Sequence, residues 1–346
     1  MTAAPPRSRP SGREVAVTID DLPATSVVHG DVESHRRITE RLLQGLAAHR
    51  IPAIGFVNEC NLSRRAGLDP ARVDLLRRWL DAGLELGNHG YAHLDLHRVS
   101  VAEFEADVVR GEPVTRALLE ERGLRLRYFR HPFLHTGTTL ADKRRVEGFL
   151  ANHGYEVAPV TIYTEDYMFA AAFDRAHQRR NPEAARAVAE AFVPYIESKL
   201  EFFEGLSQRL LGYELPQTLL LHANSINAET IDEMAGMITR RGYRFVSLEH
   251  ALADPAYAVE DPYVRAHGVS WLQRWGLNRG LGREILDAEP RTPRFVVRRA
   301  EERRIDQSRR WLGLQSRAGV RALKSAVKSV ARATGVMPPK RRKTAG

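Results

Sequence analysis

A single cysteine, Cys60, stands in the 346 residues. One thiol cannot form a disulfide within its own chain or supply a cysteine-rich zinc site, so any metal must be held by His, Asp or Glu. No stretch reaches the roughly 18–20 uninterrupted apolar residues of a membrane-spanning helix. Met1 to Arg13 is rich in Pro and Arg and lacks the apolar core of a signal peptide, so a cytoplasmic location is expected. Acidic charge is scarce at one end only. From Arg291 to Gly346, 17 Lys or Arg face three acidic residues, Glu301, Glu302 and Asp306, a balance of +14. Of the total of +9, the chain before Arg291 therefore carries −5, and this body needs no polyanionic partner; no specific nucleic acid is expected.

What is present is an ordinary globular composition, 43% hydrophobic and 27% charged, which argues against wholesale disorder. Val15 to Ile19 is apolar and β-branched and runs into Asp20-Asp21, the pattern of a buried strand ending in two carboxylates. Ile38, Leu42, Leu43 and Leu46 recur at helical spacing, and Ala53 to Val57 reads as a second strand. A helix around Val73 to Leu80 follows, then a strand from Leu84 to Gly87 that leads into Asn88-His89. Ser100-Val101-Ala102-Glu103 is a capping box, and Pro113 should kink or split the helix it opens. Tyr128-Phe129 and Tyr155 to Ile162 read as strands, and Asn181-Pro182 starts a long amphipathic helix through Val188, Phe192, Ile196, Leu200 and Phe203. Thr218 to Leu221 is an apolar run ending at His222; a helix near Ile231 to Ile238 and a strand at Phe245-Val246 complete the body.

This alternation implies an α/β fold with a parallel sheet, doubly wound or closed into a barrel. In such folds functional groups gather where strands end. Asp20, Asp21, His89, Arg130 and His222 all occupy that position and should converge on one face. Two close carboxylates resist joint ionisation unless a cation intervenes. His89 and His93, spaced i, i+4, can close around one ion, and three N/O ligands with an open position describe a catalytic zinc site. An isolated Asp pair is as often incidental and an isolated His pair more often so; the shared placement at strand ends is what argues for chemistry.

On these residues the chain resembles the NodB-homology polysaccharide deacetylases, carbohydrate esterase family 4. Thr18-Ile19-Asp20-Asp21 matches the family's T-F/Y-D-D, with Ile19 in place of an aromatic, and His89-Gly90-Tyr91-Ala92-His93 matches H-S/T-x-x-H, with Gly90 in place of the hydroxyl residue that steadies the loop. Arg130-His131-Pro132-Phe133 meets R-x-P-F/Y, and Leu219-Leu220-Leu221-His222 meets the apolar run ending in His. Asp166-Tyr167 is the weakest match, standing for the family's Asp-Trp. The matches span Thr18 to His222, about two-thirds of the chain. The resemblance implies a distorted (β/α)7 barrel and removal of acetyl groups from N-acetylated sugars. It makes Asp21, His89 and His93 ligands of a divalent metal, zinc first, Asp20 the base, Arg130 its orienter, and His222 the acid backed by Asp166. Tyr91, Pro132, Phe133 and Tyr167 are the expected substrate contacts, and His131 and His135 lie in or beside the third motif.

The expected organisation is a flexible N-terminus over 1–13, the barrel over 14–255, a cover of the barrel floor or rim over 256–295 and a basic helical or disordered tail over 296–346. Val320, Leu323, Val327 and Val330 give the tail a narrow apolar stripe among basic residues, which fits either contact with an anionic membrane or glycan, with peripheral membrane association, or a solvated helix with a disordered end. Two other functions fit the motifs: the same barrel hydrolysing the C–N bond of a small cyclic amide, or an inactive glycan-binding relative. An intact base, orienter and acid favour the deacetylase.

Overall fold

The structure, a computed structural model, describes residues 12–64 and 67–301. The N-terminal segment up to Ser11 and the basic tail beyond Glu301, with its apolar stripe, lie outside the described residues.

The strands of the main sheet are β1 (Arg13–Leu22), β2 (Ile54–Val57), β3 (Glu85–Asn88), β4 (Tyr128–Phe129), β5 (Glu156–Val157), β6 (Gln217–His222) and β7 (Tyr243–Phe245). All pair in parallel, in the order β5-β4-β3-β2-β1-β6, with β7 also on β1. The chain beyond β5 changes partner. Ala158 N still donates to Phe129 O, whereas Thr161 N and Ile162 N donate to Thr218 O, and Leu220 N donates to Ile162 O. This crossing joins the two ends of the sheet, so the segment expected as one strand from Tyr155 to Ile162 instead closes a distorted barrel.

Helices α1 (Val32–Ala48), α2 (Pro70–Asp81), α3 (Val101–Arg110), α4 (Pro113–Glu120), α5 (Leu140–Asn152), α6 (Asp166–Gln178), α7 (Pro182–Leu211) and α8 (Ser225–Arg240) form the outer layer. Their starts are written in the sequence. Asp31, Asp69, Ser100, Thr139, Asn181 and Asn224 each cap the following helix through a side-chain oxygen, worth about 1 kcal/mol apiece. The Ser100–Glu103 capping box is complete, and Pro113 separates α3 from α4 by standing at the first turn of the latter. Trp79, Phe56, Phe104, Phe129, Phe169, Phe192 and Phe203 are fully buried between the layers. Among the described residues no helix is long and apolar enough to cross a membrane.

Candidate metal and acid–base site

The first carboxylates owe their position to a defect in the sheet. Between Ile19↔Gly55 and Leu22↔Val57, β1 advances three residues while β2 advances two. The extra residue makes a bulge, a device that re-aims side chains beside active sites. Asp21 takes up the turn in the left-handed region, φ 66°. Asp20 and Asp21 would otherwise face opposite sides of the sheet; here both reach the cleft.

His89 follows β3, and its loop is tied at nearly every group. Asn58 donates to His89 O at 2.7 Å, His89 N donates to Val57 O, and Gly90 N donates to Asn88 Oδ1 at 2.7 Å. Gly90 sits at φ 76°, and a Cβ there would lie 2.6 Å from Asp107 Oδ2. That carboxylate, on α3, accepts from Ala92 N at 3.0 Å. The hydroxyl missing at position 90 is thus replaced by a carboxylate arriving from another element. Gly90→Ser should unfold about 1–2 kcal/mol more easily, the cost of a non-glycine left-handed residue before any clash is counted. Thermal or urea denaturation measures this directly.

Asp21 Oδ1 lies 3.7 Å from His89 Nε2 and 3.8 Å from His93 Nε2. These separations are too long for hydrogen bonds. They approach the edge of about 3.4 Å expected of a tetrahedron with ligands at about 2.1 Å. His89 Nδ1 is 2.8 Å from Arg130 O, an acceptor only, so Nδ1 carries the proton and Nε2 offers its lone pair to the cleft. Burial lowers the pKa of both imidazoles, His89 the further with help from His93, and so favours the neutral form a metal requires. Donor type, spacing and protonation all fit a divalent ion.

Asp20 is buried, its Oδ2 3.6 Å from His89 Nε2 and its Oδ1 without any hydrogen bond. Arg130 Nε stands 3.8 Å from that oxygen. The guanidinium is fully buried over the Phe56 ring at 4.8 Å, and its Nη2 donates to Thr18 Oγ1 at 2.7 Å. Thr18 in turn donates to Leu219 O, so the first residue of the Asp-Asp motif holds the arginine. A nearby cation alone would push the Asp20 pKa down. Burial is the larger effect, and the carboxyl is raised to about 6 despite Arg130 and His222.

Asp20 and His222 are lateral partners on β1 and β6. His222 Nδ1 donates to Asp166 Oδ1 at 2.6 Å, leaving Nε2 for the cleft. Asp166, wholly buried at the start of α6, also accepts from His222 N at 2.7 Å and from the side chains of Asn224 and Asn227. Burial works against the imidazolium, but the Asp166 charge and hydrogen bond outweigh it and raise His222 to about 10. The same contacts lower the Asp166 pKa against its own burial. Asn224 and Asn227, which fix this carboxylate, went unread in the sequence.

These groups open into a cleft of about 450 Å³. Phe133 and Tyr167, 53% and 46% exposed, face it together with His131, His135, Tyr163 and Leu220. Two expected substrate contacts do not. Pro132 is buried as the start of a turn, and Tyr91 lies away from the cleft with the Arg110 guanidinium 3.7 Å over its ring. Adjacency to a motif does not fix the face a side chain takes. His267 and Gly268, from the C-terminal segment, complete the wall.

Fold and site together define a parallel α/β barrel with a candidate metal-binding triad and an acid–base pair at the C-terminal ends of its strands. Residues 7–157 match the polysaccharide deacetylase family. The chain is 26% identical to the chitin deacetylase of Colletotrichum lindemuthianum over 242 residues, 69% of this chain and 79% of that one. Among solved structures it is similar to the family 4 carbohydrate esterase from Streptomyces lividans in complex with acetate (20% identity, 70% and 96% of the chains, TM-score 0.42). It is also similar to a mutant of a family 4 pseudoenzyme from Bacillus anthracis with restored activity (20% identity, 70% and 68% of the chains, TM-score 0.43).

Proposed function

We propose that this chain removes acetyl groups from N-acetylated sugars in a poly- or oligosaccharide, with Asp21, His89 and His93 holding a divalent ion, zinc first. The observation that carries the reading is the side-by-side placement of Asp20, with an unpartnered oxygen, and Asp166-backed His222 beside the triad. A bound divalent ion supplies Lewis-acid polarisation of a carbonyl and lowers the pKa of a coordinated water from ~16 toward ~7.

The chain's own groups do the rest. Asp20, poised near pH 6, takes the proton of the attacking water. Arg130 keeps that carboxylate aligned. His222, protonated at neutral pH, gives its Nε2 proton to the sugar nitrogen as the C–N bond breaks, and acetate and a free amine leave. Phe133 and Tyr167 offer exposed ring faces to a sugar. Glycan binding alone would not need a base, its orienter and a protonated acid in register.

Two checks follow. Because folding assembles the triad, saturating it should stabilise the chain by about 2.7 kcal/mol at a hundredfold excess of ion over its Kd. A melting temperature that rises with zinc and falls with a chelator reports this, and His93→Ala should abolish the response. The substrate class is decided by offering the metal-loaded chain N-acetylglucosamine oligomers, peptidoglycan fragments and a panel of small cyclic amides. Free amine and acetate from the glycans alone support the proposal; ring opening of a cyclic amide alone replaces it.

A further inference from the structure

The loop that carries Phe133 is held from a distant part of the chain, outside the residues matched to the family. Phe133 and Leu134 are consecutive non-glycine residues in the left-handed region, φ 57° and 55°. Two such residues in a row persist only where surrounding structure fixes them. The surrounding structure is the segment from Asp261 to a short helix, α9 (Trp271–Asn278). Arg274 on that helix is fully buried and faces Trp271 at 3.8 Å. Its Nη2 donates to Leu134 O, its Nη1 to Thr136 Oγ1 at 3.2 Å and Asp261 Oδ2 at 3.1 Å, and its Nε to Val269 O at 3.1 Å. Gly268 packs against the same loop so closely that a Cβ would come 1.9 Å from Phe133 O. The ring so placed lies 4.5 Å from the His93 ring and lines the cleft.

We infer that Arg274 is a positioning residue for substrate: with Gly268 it clamps the Phe133–Leu134 loop, and the C-terminal segment is thereby part of the sugar-binding cleft rather than a cover of the barrel. The consequence for substrate rests on the deacetylase reading; the clamp itself does not. Lysine at 274 keeps a charge near Asp261 but cannot reach Leu134 O, Thr136 and Val269 O together.

The clamp is tested by hydrogen exchange on the full chain. Leu134 N and His135 N donate to His131 O and Pro132 O within the loop. In Arg274→Lys these two amides should exchange at least about tenfold faster while those of α7 keep their rates. Unchanged loop amides, or uniform acceleration throughout the chain, would overturn the clamp. Gly268→Ala perturbs the loop without touching Arg274 and should give the same local pattern. For substrate, Arg274→Lys and Phe133→Ala should each raise KM for N-acetylglucosamine oligomers by roughly tenfold, with the loss falling on KM more than on kcat. The double variant should be no worse than Phe133→Ala alone, because both act through one ring. Effects that multiply would show that Arg274 acts elsewhere. A chain that turns over no glycan would sink the proposed activity, while the exchange rates would still decide the clamp.

Discussion

Asp20→Asn should lower kcat by between about a hundredfold and ten-thousandfold, the range associated with loss of a positioned general base. The asparagine keeps the shape of a side chain that is 2% exposed and removes its charge and with it the capacity to take a proton. It also leaves Asp21, His89 and His93 intact, so the divalent ion content and the melting response to zinc should match those of the parent chain. Loss of activity with retained metal separates a base from a ligand. If the variant loses its ion along with its activity, Asp20 belongs to the donor set and the division of labour between the adjacent carboxylates is wrong.

Asp166→Asn should act through His222. In the parent chain the imidazolium is favoured up to about pH 10. Its ordinary value is about 6.5. With the Asp166 charge removed, the pKa falls back toward that value, and Asp20 and Asp21 hold up a smaller part of the rise. At pH 9 the protonated acid should become roughly a hundredfold scarcer, and the alkaline limb of kcat should move down by pH units while activity near pH 6 suffers least. Stability follows the same pair. A raised histidine stabilises the fold fully below its unfolded pKa, and the contribution disappears as pH climbs through the folded value near 10. Asp166, lowered by the same contacts, contributes above its unfolded pKa and loses that contribution only in acid. Between these limits, removing one partner of a buried pair costs about 3–5 kcal/mol, and the difference in stability between parent and variant should shrink above pH 10. A pH profile that keeps its alkaline limb in the variant would disconnect Asp166 from the acid.

Much of the fold was legible because its signals are local. Capping side chains, apolar runs and the change from period two to period 3.6 located the starts of α3, α4 and α7 and the strand ends that carry the site. Three helices, α5, α6 and α9, escaped. Residues Phe169 to Ala176 in α6 are buried on every side, which erases the one-sided stripe that reveals a surface helix. A turn at the end of β1 that brings Asp20 and Asp21 to one site was legible, but its form, a left-handed aspartate within a bulge, depends on how β1 registers against β2. The Asp107 substitute for a hydroxyl at position 90, and the asparagines that hold Asp166, are joined only by the fold. So is the clamp of Arg274 on Leu134, which reaches back 140 residues. The chemistry-bearing residues, with Arg130 and Asp166, announced themselves by motif; Asp107, Asn224, Asn227 and Arg274 did not.

The most direct test of the account is acetate released from N-acetylglucosamine oligomers by one preparation in three states: zinc-loaded, stripped by a chelator and reloaded. Release, its disappearance and its return are expected, with one ion per chain in the active states. Undiminished release from the stripped chain, or none from a chain shown to hold its ion, would contradict the account.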